Sequence, residues 1–218
     1  MDLPQTLHAQ LYLMAYDRKR HRFRFGRDNS WDTRWLFGFA LRAAMLTDLY
    51  LTGYVEAKQG KASPASAARP DDPVLQEALE GVAGHDWAEL IAHDEHHARQ
   101  VVRCQLESTG WLSRQHRRML GIMPTARLTV YDEGMVRGLA DRVTEALRNA
   151  IDDQPADPRP LAVGLLAVQG SLPAVFTFTE NSRHREQLRE ITFAAIEPIL
   201  GLHQAIQNRL TDMRSDIG

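Results

Sequence analysis

FALRAAMLTDLYLTGYV, residues Phe39 to Val55, is apolar almost all the way round when read with the helical period. That pattern marks a helix buried inside a bundle rather than one lying on its surface. Gly53 supplies a left-handed stop, and Tyr54-Val55 reads as a short extended exit. One charge interrupts the stripe. Arg42 falls on the same face as Trp35, Leu46 and Leu49. A guanidinium there must snorkel, pair with a carboxylate, or hold an anion.

The chain around this helix has 218 residues, enough for one large domain with a proper core. Apolar residues make up 44% and charged residues 25%, a soluble globular balance. The net charge is −2 and the pI about 6.5, which disfavours a generic nucleic-acid coat. Cys104 is the single cysteine, so an internal disulfide is impossible and a reducing, cytoplasmic compartment is expected. MDLPQTLHAQ does not read as a signal peptide. Only Leu161 to Phe178 invites a membrane-span reading. Gly170, Ser171 and Pro173 interrupt it and Gln169 is polar, so two short core helices with a turn between them are expected.

Outward from the central helix, taken as Trp31 to Thr52, Leu3 to Tyr16 reads as a first helix. In Asp17 to Arg27, Phe23 and Phe25 alternate with arginines, as in a short exposed strand or hairpin. Residues 58–73 are rich in Ala, Ser, Pro and Asp without a period and are expected to form a mobile loop. Val74 to Ala83 is a short amphipathic helix. Asp86 caps a long helix running to about Thr109, stopped by Gly110. A helix from Asp132 or Glu133 to Ile151, a linker at 152–160, and helices over Ser182 to Glu197 and Ile199 to Met213 complete the reading. The fold class is all-α: one helical bundle over 1–218 with short β-strands and a protruding apolar β-hairpin at about 113–130.

Three places could carry chemistry. The first is the hairpin, where Arg114, His116, Arg117 and Arg118 lead into Met119, Leu120, Gly121, Ile122, Met123 and Pro124. Apolar side chains at such a tip suit insertion into a bilayer beside arginines on anionic headgroups, each worth on the order of 1 kcal/mol. The alternatives are a subunit contact or packing back on the domain. The second is the polar face of the long helix, where His96, Arg99 and Arg103 stand in a row that could meet a phosphate. The third is the His93, His97 pair, spaced for a metal but without a third ligand, so no metal is expected. No nucleophile elbow, P-loop or Gly-rich dinucleotide turn is present. A non-enzymatic binding protein without a cofactor is the expectation.

The run LRAAMLTDLYLTGYV (41–55) resembles the signature helix of the Golgi phosphoprotein 3 family. LESTGWL (106–112) followed by a basic-flanked apolar hairpin, and the opening LPQTLHAQLYLMAYDRKR (3–20), match in the same order. The compact form resembles the bacterial, especially the actinobacterial, branch. The resemblance implies a single all-α domain with a protruding hairpin at about Met119 to Met123. Eukaryotic members are peripheral Golgi proteins that bind phosphatidylinositol 4-phosphate and hold glycosyltransferases through their cytosolic tails and vesicle coat. Their headgroup pocket uses a tryptophan, an arginine on the signature helix and two basic residues on the long helix. Carried onto this chain, these fall on Trp31 or Trp35, Arg42, His96 and Arg99. His96 departs from the family by standing where a permanent cation is expected.

The resulting expectation is a cytoplasmic, peripherally membrane-associated protein. It binds an anionic, phosphoinositide-like lipid headgroup through a basic pocket, with an inserting hairpin. The alternative is a soluble adaptor or oligomer that self-associates through the hairpin and binds a protein tail, its cargo, on the basic face. A winged-helix reading, and with it a nucleic-acid partner, is disfavoured by the acidic pI and the apolar tip.

Overall fold

In a computed structural model of the chain, residues 2–25, 34–119 and 123–215 are described, those at 115–119, 123–127 and 178 by backbone only. Helix α1 (Leu7–Met14) leads into a small antiparallel pair, β1 (Tyr16–Asp17) with β2 (Arg22–Phe23). The central helix is α2 (Arg34–Leu51). Phe37, Leu41, Leu46 and Leu49 on it are fully buried, each such side chain contributing about 1.5–3 kcal/mol relative to exposure. Its apolar circumference is matched by neighbours on several sides: α1, α3 (Pro73–Glu80), α4 (Trp87–Ala92), α5 (Glu95–Ser108), α7 (Pro158–Gln169) and α10 (Glu197–Ser215) all pack on it. The bundle is closed by α6 (Glu133–Ile151) against α7, with α8 (Phe178–Arg183) and α9 (Arg185–Phe193) following.

Two short hairpins follow the two glycine stops. Gly53 and Gly110 take φ of +75° and +79°, where a side chain would be strained. After Gly53, the Tyr54 N–H donates back to the Leu49 carbonyl at 2.9 Å and the chain enters β3 (Val55–Lys58), paired with β4 (Lys61–Pro64). After Gly110 it enters β5 (Leu112–Met119), paired over its length with β6 (Met123–Val130). The base of this longer hairpin rests on α5 and β2.

Four local expectations change. The long helix breaks in two, because Asp94 adopts a left-handed φ of +50° and its carboxylate accepts from the His97 N–H to start α5 afresh. Residues 58–73 are not loop throughout. Ala62 is fully buried and β4 pairs with β3, a period too short and too small-sided to show in composition. Leu161 to Phe178 holds one core helix, α7, begun by Pro158 and capped by Asp157; after Gly170 the chain turns without a second apolar helix, and Phe178 opens α8. Ser182 to Glu197 divides at His184 between α8 and α9. Among the described residues, no helix is long and apolar enough to cross a membrane.

Candidate functional site

The crossing of α2 and α5 sets the site. A Cβ on Gly38 would lie 2.5 Å from both Cβ and the carbonyl oxygen of Glu95, so only glycine lets the start of α5 come this close. From that point α5 buries Ala98, Val102 and Leu106 in the core. The neighbouring face, His96, Arg99, Gln100 and Arg103, then stands over α1 and the β1–β2 hairpin.

These residues wall a cavity of about 390 Å³ whose other side is Tyr12, Phe23, Phe25 and Arg34. The floor is aromatic. Tyr12 lies 5.4 Å from Phe23 and 5.6 Å from Phe25 between ring centroids, and Phe25 stacks on Phe37 at 4.9 Å. The alternation Phe23-Arg24-Phe25 sends both phenylalanines to this side. The Arg24 N–H donates to the Ala15 carbonyl at 2.8 Å, fixing the hairpin to the end of α1.

Among the described residues, the charges lining this cavity have one sign. Arg99 is held below its ordinary pKa, first by burial and then by the charge of Arg34, with Glu95 and Tyr12 acting in the opposite direction. An arginine still keeps its proton, so the shift expresses the cost of holding two guanidinium groups together partly out of water. The Arg99 Nε is buried with no hydrogen-bond partner among the described residues, and so is the Arg103 Nε, which lies 3.7 Å from Glu107. Burial also raises the Tyr12 phenol pKa, keeping it a neutral donor. His96 is 70% exposed at the rim, its Nδ1 3.5 Å from Glu95. Donors without acceptors, an aromatic floor and a volume within the ordinary range for small-molecule sites suit a phosphate-bearing ring.

The expected residues divide. His96 and Arg99 come together here, joined by Arg103 from the same stripe. Arg42 does not line the cavity. Its Nε donates to the Leu90 carbonyl at 3.4 Å, and its pKa is lowered by burial against the opposing charges of Glu77 and Asp94. It therefore answers the carbonyl end of α4, within the field of two carboxylates. Trp35 is also away from the cavity, buried against Phe39 at 5.1 Å with its indole N–H unpartnered among the described residues. Trp31, Leu120 and Ile122 lie outside the described residues. Arg117, Arg118, Met119 and Met123 are placed in the β5–β6 ladder by their backbone. Arg114 donates to Glu107 at 3.1 Å, so Glu107 links the cavity rim at Arg103 to the base of the hairpin. His93 and His97 stand on either side of the helix break; His97 bonds Glu77, and no metal-binding cluster occurs among the described residues.

Arg34, Tyr12, Phe23 and Phe25 were not expected at a site. The only signal was the Phe-x-Phe alternation, and nothing in the spacing brings Arg34 to Arg99.

A search of curated proteins finds no matching sequence. A family model described as Golgi phosphoprotein 3 (GPP34) matches residues 7–208, which includes every described residue lining the cavity. The chain belongs to the Golgi phosphoprotein 3 (GPP34) family.

Proposed function

We propose that this protein is a non-enzymatic peripheral membrane protein that binds an anionic, phosphoinositide-like headgroup in the Arg34, His96, Arg99, Arg103 cavity. At the level of the family, membership suggests a Golgi-associated, lipid-binding role. The observation that carries the assignment to this cavity is the convergence of Arg34, Arg99 and Arg103 over an aromatic floor, with the Nε of Arg99 and of Arg103 buried and without a hydrogen-bond acceptor among the described residues. A phosphomonoester accepts from several guanidinium donors at once, and the inositol ring rests on Tyr12 and Phe25. The β5–β6 hairpin, tied to the cavity rim through Arg103, Glu107 and Arg114, reaches for the bilayer, its apolar tip entering the acyl boundary.

Cosedimentation with phosphatidylcholine vesicles, with and without a phosphoinositide, tests the reading. The phosphoinositide is expected to bring the protein down, and Arg99→Ala with Arg103→Ala to abolish the difference. Equal sedimentation with both vesicles, or an unchanged preference in the double variant, contradicts it.

A further inference from the structure

The β1–β2 hairpin has a second face. Phe23 and Phe25 point to the cavity described above; Arg24, between them, points the other way. On that side lies another cavity, of about 350 Å³, with Arg18, Lys19, Arg20 and Arg24 on the hairpin and an apolar wall from α6 and the turn after α7. Among the described residues Asp17 is the carboxylate that lines it, and the nearby Glu133 feels the charge of Arg18. Asp17 is already engaged: its carboxylate accepts from the Arg20 Nη1 at 3.0 Å and the Arg20 N–H at 3.2 Å, and lies 3.7 Å from Arg24. Arg18 and Lys19 form no ion pair among the described residues.

The turn that carries them is built rather than loose. Glu133, at the first turn of α6, accepts from the Tyr16 hydroxyl at 2.8 Å and meets His21 Nδ1 at 2.9 Å. His21 itself takes a left-handed φ of +46°, which folds the turn sharply. Anchored at both ends, the turn presents Arg18 and Lys19 with less ordering entropy to lose than on a free loop.

The geometry points to a second anion site, in which Arg18 and Lys19 bind a phosphomonoester at the α6 side of the β1–β2 hairpin. It stands independently of the first cavity and shares no cation with it. The same chemistry is offered by a lipid headgroup and by a soluble phosphate, and the experiment separates them.

Inorganic pyrophosphate is titrated calorimetrically into the full chain, into Arg18→Gln with Lys19→Gln, and into Arg99→Ala. Both hairpin positions are exposed, so the paired variant keeps its fold, which circular dichroism verifies. Loss of two charge-assisted contacts is expected to weaken pyrophosphate binding at least about tenfold in the hairpin variant, with a binding event retained in Arg99→Ala. The same proteins are sedimented with phosphatidylcholine vesicles carrying phosphatidic acid or, at matched surface charge, phosphatidylserine. A preference for phosphatidic acid lost in the hairpin variant assigns the site to a lipid headgroup. A titration defect with unchanged sedimentation assigns it to a soluble phosphate. Unchanged pyrophosphate binding in the hairpin variant overturns the proposal. So does a wild-type chain that binds no pyrophosphate and treats the two charged vesicles alike.

Discussion

Replacing Arg99 by methionine makes the sharpest separation between an arginine kept for the fold and one kept for a ligand. Methionine retains a long apolar stem and removes the charge, so the packing of α5 on α1 is little altered. Burial and Arg34 act against the charge, with Glu95 and Tyr12 partly offsetting them, and the Nε has no acceptor among the described residues. Roughly half of the group is open to water, which screens the repulsion, so the expected gain in stability is modest, about 0.5–1 kcal/mol. For a chain of this size that is a rise in Tm of about 1–4 °C. Binding is expected to move the other way. Losing one charge-assisted contact to phosphate costs about 1.5–3 kcal/mol, or roughly ten- to a hundredfold in affinity for phosphoinositide vesicles. Urea denaturation and vesicle sedimentation on the same samples read both quantities. A variant that is destabilised by more than about 1 kcal/mol and still binds vesicles as the wild type does would refute the reasoning, because Arg99 would then be structural.

Other outcomes follow from the packing. Gly38→Ala puts a methyl group against the Glu95 backbone and is expected to cost about 1–3 kcal/mol in chemical denaturation, loosening the α2–α5 crossing that shapes the cavity. Asp48 is 2% exposed and accepts from Arg159 at 2.7 Å and the Leu7 N–H at 2.5 Å; Arg159→Ala removes the ion-pair partner, leaves the carboxylate the Leu7 N–H, and is expected to cost about 1–3 kcal/mol. His8 is fully buried, and burial lowers its pKa against the opposing charge of Asp72, the Gln105 hydrogen bond and the charge of Asp48. The unfolded chain therefore takes up this proton more readily than the folded one. The stabilisation from His8 is complete above the unfolded value near 6.5 and is lost as pH falls through and below it. Denaturation midpoints measured from neutral to mildly acidic pH are expected to fall in the wild type and to flatten in His8→Gln.

The helices were legible because burial leaves a periodic trace. The stripe of α2, the cap at Asp86 and the start at Asp132 or Glu133 place their helices within a few residues of where they form, whereas the Asp72 cap of α3 was not read. The break between α4 and α5 was hidden, since Asp94 in a left-handed conformation carries no compositional mark and the apolar stripe runs on either side of it. The site was half legible. His96, Arg99 and Arg103 share a face by helical spacing alone. The aromatic floor and Arg34 come from α1, the β1–β2 hairpin and α2, which only tertiary packing brings to α5. Arg42 was the most conspicuous charge in the sequence, and its surroundings, the Leu90 carbonyl and the charges of Glu77 and Asp94, are ones that no periodicity reveals.

The central claim is that the phosphate meets Arg34, Arg99 and Arg103 in the cavity beside Tyr12 and Phe25. The most direct measurement follows the arginine Nε–H resonances by NMR as a soluble inositol phosphate headgroup is added. The Arg99 and Arg103 signals are expected to shift together and saturate at one affinity, while that of Arg42 stays still. A saturable shift at Arg42, with Arg99 and Arg103 unmoved, would contradict the account.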